Sequence, residues 1–338
     1  MPLLAYVVKR ILLLIPTLFG VSLVCFALIR VLPGNPAYMI VGPYATEDQI
    51  AKVKGELGLD KPLPEQYVLY LNDVLHGNLG YAWHTSQPVA NDIMQRFPLS
   101  FELSTLSLVL TLVVAIPLGV VSAVKTGSWI DNIARVLAVS GVSMPLFWSG
   151  LLLSYVFFFR LQWAPPPMGV LDPLMEPPPR VTGMILVDSL LAGNWVTLQS
   201  AASHLVLPSV TLAFSMIGSI TRMTRSSMLE VMHSDYVRTA IAFGLPRRTV
   251  IFRDALQNAL LPVVTMIGVL YGFALGGTVL VEMIFGLTGM GSYSFGSIMN
   301  MDYAGVQGVV LVVATIFVVV NLLVDIAYAF IDPRISYG

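Results

Sequence analysis

Charge is what this chain has least of. Asp, Glu, Lys and Arg make up 11% of its 338 residues, where soluble domains run near a quarter, and that shortage excludes an ordinary soluble domain. The formal net charge of −1 leaves no basic excess of the kind that nucleic-acid binding needs. The single cysteine, Cys25, sits in an apolar run, forms no internal disulfide and says nothing about redox compartment. The dipeptide Gly-Lys does not occur, which excludes a G-x-x-x-x-G-K-[ST] phosphate loop. His76, His84, His204 and His233 are dispersed; they make no metal-ligand spacing and read as surface or membrane-interface residues. No Ser/His/Asp set has a recognisable context, so the expectation is a protein that is not an enzyme and holds no metal.

What is present is apolar. Hydrophobic residues reach 56%, and six runs are long enough for the roughly 20 residues a bilayer crossing takes. They lie at about Ile11–Ile29, Leu103–Val124, Val136–Phe159, Leu205–Thr221, Asn258–Val281 and Tyr303–Val324. No Lys, Arg, Asp or Glu falls inside these cores; Asp325 lies just past the last. A central charge costs about 2.5–3.5 kcal/mol on insertion scales, so this emptiness suits lipid-facing helices. The first run follows Lys9-Arg10 but exceeds the length of a signal-peptide core and lacks its cleavage site, which favours a retained span. The expected fold is an all-α integral membrane protein of six spans.

The basic residues set its orientation, because Lys and Arg collect in cytoplasmic loops. Lys9 and Arg10 flank the first span, Lys125 and Arg135 the second connection, and Arg222, Arg225, Arg238, Arg247, Arg248 and Arg253 the fourth, while Glu282–Asp302 holds none. Both termini are then cytoplasmic. The long connection after the first span is external, with short helices expected over Glu47–Leu75: Thr46 as N-cap, Glu47 and Asp48 in the first turn, Gly55 and Gly58 as punctuation. The expected division is 1–32 for the first span, 33–97 for an external domain and 98–330 for a five-helix core, with an inner loop at 222–257.

That loop is the most informative stretch. Ser234 is placed as N-cap and Asp235 in the first helical turn, where a carboxylate favours the helix dipole. Tyr236, Ala240 and Phe243 follow at i, i+4 and i+7 and make one face. Gly244 stands where a C-cap glycine belongs, and Pro246 opens a basic helix with Arg247, Arg248 and Arg253. On residues alone, an interfacial helix on anionic lipid and a docking element for a partner fit equally well.

The stretch resembles the cytoplasmic "EAA" loop of binding-protein-dependent ABC importer permeases, in the version found in dipeptide and oligopeptide permeases. The likeness is carried by Thr221-Arg222-Met223-Thr224-Arg225-Ser226-Ser227-Met228-Leu229-Glu230-Val231, by Asp235-Tyr236-Val237-Arg238-Thr239-Ala240, and by Asn258-Ala259-Leu260-Leu261-Pro262. It departs from the general pattern in placing Arg238-Thr239-Ala240 where Glu-Ala-Ala stands, and Gln257 where a proline ends the motif. The likeness extends along the chain through Ile15-Pro16-Thr17-Leu18-Phe19-Gly20, Leu32-Pro33-Gly34-Asn35-Pro36, Gly77-Asn78-Leu79-Gly80, Ile116-Pro117-Leu118-Gly119, Met144-Pro145-Leu146-Phe147-Trp148 and Glu282-Met283-Ile284-Phe285.

The resemblance implies a type I importer (MetI-like) transmembrane fold in a bacterial inner membrane. It implies as partners a second homologous permease forming a heterodimer, two ATP-binding cassette subunits, an extracytoplasmic solute-binding protein and membrane lipid. ATP and Mg would be used by the partner ATPases, with no cofactor on this chain. Docking of the ATPase would fall to Asp235, Tyr236, Arg238, Thr239, Ala240, Phe243 and Gly244. Di- or oligopeptides are the implied substrates; nickel chelates, glutathione and oligosaccharides are carried by related systems. Glu282, Phe285 and Asn321 are the candidate lining of the substrate pathway, with an ordinary interfacial carboxylate as the equal alternative for Glu282. Asp325 is expected to be hydrated or paired with Arg334. The competing class is an ion-coupled secondary transporter, with Pro16, Pro117, Pro145 and Pro208 as helix breakers, but no acidic relay accompanies them.

Overall fold

The computed structural model describes residues 3–31, 46–56 and 58–331. The motif at Leu32–Pro36, the first part of the external domain and Arg334 lie outside these residues. In chain order the elements are α1 (Leu3–Val31), α2 (Glu47–Glu56), α3 (Leu63–Leu75), β1 (Tyr81–Ala82), β2 (Gln87–Pro88), α4 (Val89–Val124), α5 (Trp129–Ser143), α6 (Leu146–Leu153), α7 (Ile185–Leu191), α8 (Trp195–Met232), α9 (Asp235–Ala242), α10 (Arg247–Thr249), α11 (Leu256–Ile284), α12 (Met290–Met299) and α13 (Tyr303–Ile331). Two π-helical turns, Ser154–Arg160 and Val250–Ala255, continue α6 and join α10 to α11. β1 and β2 form a small antiparallel pair.

Among the described residues, five helices are long and apolar enough to cross a membrane, and a bent pair supplies the sixth span. Five of the six apolar runs extend into helices longer than the runs themselves, because the helices continue into polar ends. The third run is different. It is two helices, α5 and α6, meeting at 109°. Pro145 is the cause: it disfavours helical backbone at the residue before it, and Met144 is extended at φ −82°, ψ 128°. In the external region α2 and α3 fall within the expected helical stretch, and Gly58 adopts φ +61°, a left-handed conformation that glycine allows at little cost.

The core is built around α4 and α8, the most extensively packed pair, with α11 completing it. Leu103, Leu205, Leu212, Met216, Val281 and Phe285 are buried together. The ends of the spans are tied by carboxylates. Glu102 of α4 accepts the free backbone N–H groups of Ile185 (2.8 Å) and Leu186 (2.9 Å) at the start of α7, a helix whose own N-cap residue, Met184, offers no side-chain acceptor. At the far end of α13 Asp325 pairs with Arg10 of α1 at 3.0 Å; Arg334, the partner expected from sequence, lies outside the described residues. Two like spans are thereby joined at the end where both must leave the hydrocarbon.

Asp188 organises the connection before α8. Its carboxylate accepts from Val181 N (3.2 Å), Thr182 N (2.7 Å), Thr182 Oγ1 (2.7 Å) and Gly183 N (2.9 Å). Burial opposes its ionisation, but the donors from Thr182, Gly183 and Val181 outweigh that and hold the carboxyl below its ordinary range. A group with a lowered folded pKa contributes stability that is present above its unfolded value, about 3.9, and is lost as pH falls through the folded one. The loop at 176–192 is therefore expected to resist proteases from neutral pH down to about pH 4, and to open only in stronger acid. Asp188→Asn, which turns an amide N–H₂ toward N–H donors, should open it at neutral pH; limited proteolysis from the outer face reads both results.

Candidate functional site

The inner loop begins where α8 stops. His233 closes that helix, and Ser234 follows with extended backbone at φ −69°, ψ 153°. Ser234 occupies the N-cap position of α9, but its hydroxyl donates to Val231 O (2.6 Å) and does not accept from α9. The first turn is left to Asp235, which lies 3.8 Å from Arg238. α9 ends in a six-residue closure: Leu245 N donates to Ala240 O (3.2 Å) and Gly244 N to Ile241 O (2.9 Å). This double bond pattern needs a left-handed residue after the helix, and Gly244 supplies it at φ +77°. The chain turns sharply and re-enters the membrane through Pro246, α10 and the π turn.

Two residues hold α9 to the body. Val237 is fully buried, worth about 2 kcal/mol by burial of its side chain. Tyr236 points toward the returning chain: its hydroxyl donates to Asp254 O (3.3 Å) and accepts from Asn258 Nδ2 (3.0 Å). Below them Val120, Met228, Ile251 and Ala259 form one buried cluster that joins α4, α8, the π turn and α11. An eight-residue helix is marginal on its own, so its fixed position comes from these tertiary contacts.

The far side is free. Phe243 is 83% exposed, Ile241 53% and Leu245 46%, and Arg238, Thr239, Arg247 and Arg248 are exposed beside them. The expected single face of Tyr236, Ala240 and Phe243 is thus divided: Tyr236 is bonded to its own chain, Ala240 is half-buried, and Phe243 stands out at the turn. The helical spacing was right, but the eight-residue length puts Phe243 past the last helical residue, at the C-cap. Val237 was passed over because it lies between two more conspicuous residues; an apolar residue one step from an exposed aromatic on a short amphipathic helix was the available signal.

The expected pathway residues do not come together on an open surface. Glu282 is fully buried, accepting from Ser100 Oγ (2.6 Å) and Ser292 N (2.7 Å). Phe285 is 2% exposed and packed in the main core. Neither faces an opening in this subunit. The chain folds back over Glu282 through Gly289 and Gly291, where a Cβ would meet its carboxylate, whereas Phe285 lies beside Gly150 of α6 and its carbonyl accepts Gly169 N (3.2 Å). Asn321 is partly exposed and donates to Phe317 O (2.8 Å) on its own helix. Near it, an open apolar groove of about 400 Å³ runs between α11 and α13, lined among others by Gly272, Phe273, Gly276, Val313 and Phe317.

Sequence reasoning also missed an ion pair between α5 and α8. Asp131, near the start of α5, is 1% exposed and accepts from Arg225 Nε (2.8 Å) and Nη2 (3.0 Å), Ser122 Oγ (2.5 Å) and Gly127 N (3.0 Å). The signal was slight: an acid three residues after Ser128 reads as a first-turn carboxylate and no more. Among the described residues, no group of three or more His, Cys, Asp or Glu is arranged to hold a metal ion.

Comparison with known proteins adds the following. The family model described as "Binding-protein-dependent transport system inner membrane component" matches residues 115–337, and the one described as "Binding-prot-dependent transport system membrane comp, N-term" matches residues 3–104. The chain is 41% identical over 334 residues to the dipeptide transport system permease protein DppB of Alkalihalophilus pseudofirmus, covering 99% of this chain and 100% of that one. It is 40% identical over 338 residues to the protein of the same name in Escherichia coli K12, 99% of each. Against the glutathione transport system permease protein GsiC of Escherichia coli O6:H1 it is 36% identical over 332 residues, 98% of this chain and 99% of that one.

Proposed function

This chain belongs to the family of binding-protein-dependent transport system inner membrane components, and on that premise we propose that it imports di- or oligopeptides and receives its driving force through α9. As a member it is a multi-pass inner-membrane permease subunit of an ABC importer, a non-catalytic component that works with ATPase and binding-protein partners. The finer assignments are ours. The permease pairs with a homologous second permease. Two ATPase subunits, using ATP and Mg, dock on the loop at 222–257 from the cytoplasm, where both termini also lie. Peptides are the substrate, in keeping with the dipeptide permeases it is similar to; glutathione, itself a small peptide, is the runner-up on the 36% likeness.

One observation carries the docking reading. A short helix is held rigidly by Val237 and Tyr236 and yet presents a nearly bare phenylalanine at its tip. A helix resting on lipid needs an apolar face along its length; here Ile241, Phe243 and Leu245 stand exposed at one end beside Arg247 and Arg248, while Tyr236 at the other end, also exposed, is hydrogen-bonded to the returning chain. That is the make-up of an interface anchor: an aromatic for a pocket with a polar rim.

The test is transport in sealed vesicles that hold the whole complex and are supplied with binding protein and labelled dipeptide. Uptake is expected to need ATP at the loop-bearing face and to be absent with a proton or sodium gradient alone. Uptake on a gradient without ATP would move the protein to the ion-coupled class. Competition by unlabelled dipeptide, and weaker competition by glutathione, reads the substrate class.

A further inference from the structure

We infer that Asp131 is a positioning residue for coupling: it fixes the inner half of the broken third span to the helix that carries α9, so that displacement of α9 passes into α5. The inference rests on the docking reading given above.

The carboxylate joins three pieces of the inner face. Ser122 lies on α4, Gly127 in the connection, and Arg225 on α8. Arg225 stands seven residues before the end of α8 at Met232, about 10 Å along the helix axis, and α9 begins three residues later, so α8 is the lever between the ion pair and α9. Further along, α5 and α8 touch backbone to backbone. A Cβ on Gly141 would fall on Phe214 O, and one on Gly218 would fall on Ala138 O. α4 meets α8 in the same manner at Gly119, where a Cβ would lie 2.9 Å from Thr221 O.

Contacts made at glycines hold the helices close with few side chains to set their register: Val142 approaches Gly218 and Thr224 approaches Gly119. A two-pronged guanidinium–carboxylate pair fixes both register and orientation. The need is specific to α5. Its span is broken at 109° before α6, so stiffness along the span cannot set where α5 goes; only its lateral attachment can. Stability alone is a poor reason for the pair, because apolar residues of similar volume serve as well or better in buried positions.

The experiment uses the whole importer, reconstituted with its ATPases and binding protein, and measures substrate transported per ATP hydrolysed. Asp131→Leu combined with Arg225→Met removes the ionic link without leaving a buried unpaired charge; Arg135, 3.9 Å from the carboxylate, is exposed and keeps its hydration. This double variant should assemble, retain its ATPases and hydrolyse ATP, while transport per ATP falls about tenfold. Exchanging the charges, Asp131→Arg with Arg225→Asp, should recover at least about a third of the wild-type ratio. If the double variant does not assemble, the isosteric Asp131→Asn is read for the same ratio. A wild-type ratio in any assembled variant that lacks the pair overturns the inference and leaves the pair a staple of the fold. Failure of the docking reading looks different: ATPases would then still co-purify with a chain altered at Phe243.

Discussion

Phe243→Asp is expected to reduce ATP-driven uptake by at least about a hundredfold and to release the ATPase subunits on purification, with the amount of inserted permease and its thermal unfolding unchanged. The two halves of that result come from one number, the 83% exposure of Phe243. A side chain that touches so little of its own chain adds little to folding, and surface substitutions away from special features stay within about 0.5 kcal/mol. An aromatic anchor at the centre of an interface carries about 2–4 kcal/mol, and 2.7 kcal/mol is about a hundredfold in affinity. A carboxylate in its place must also be desolvated without a partner.

Neighbouring positions supply the contrast. Val237→Asp puts a charge where the side chain is fully buried and should unseat α9 itself. Gly244→Ala keeps the surface but forces a side chain into φ +77°, costing roughly 1–2 kcal/mol. Only Phe243 separates docking from folding. Co-purification and uptake measured on the same membranes decide the matter; normal uptake with bound ATPases in Phe243→Asp would remove α9 from the docking role.

How much of this was legible beforehand follows from the range of the forces involved. The spans were visible because desolvation acts residue by residue: a run such as Tyr303–Val324 reads as a crossing wherever it ends up. The turn at Gly244 was visible because its cause is local, a glycine at the close of a short amphipathic helix. The break in the third span was half visible, since Pro145 was noted but its effect on Met144 depends on neighbours that let the chain turn by 109°. The partners of Asp131, Glu102 and Glu282 were not visible. Each carboxylate finds donors supplied by other elements: Arg225 lies 94 positions from Asp131, Ile185 lies 83 from Glu102, and Ser100 lies 182 from Glu282. No spacing rule spans such distances. Glu282 stayed open between two readings because an acid at the end of a span looks the same in one dimension whether it faces water or a folded loop.

Glu282→Ala is therefore expected to lower stability by about 2–6 kcal/mol, at about 1–3 kcal/mol for each of two buried donors left without an acceptor, and not to alter which solutes compete for uptake. The carboxylate joins α11 to the start of α12. Ser100 Oγ donates to Oε1 (2.6 Å) and itself accepts Met290 N (2.8 Å), while Ser292 N donates to Oε2 (2.7 Å). Gly289 offers no side-chain cap to α12, so these bonds take the place of one. In the alanine variant the Ser292 N–H is left buried without an acceptor, Ser100 loses its own, and the space that held the carboxylate is empty. Glu282→Gln should fall between: one amide oxygen can serve Ser100 or Ser292, and the N–H₂ then faces the other donor. Thermal unfolding of the purified permease in detergent orders the three as wild type, Gln, Ala. A residue lining the pathway would give the opposite pair of results, an unfolding midpoint that stays put and a changed pattern of peptide competition. That outcome would return Glu282 to the substrate's route and require the loop at Gly289–Gly291 to open during transport.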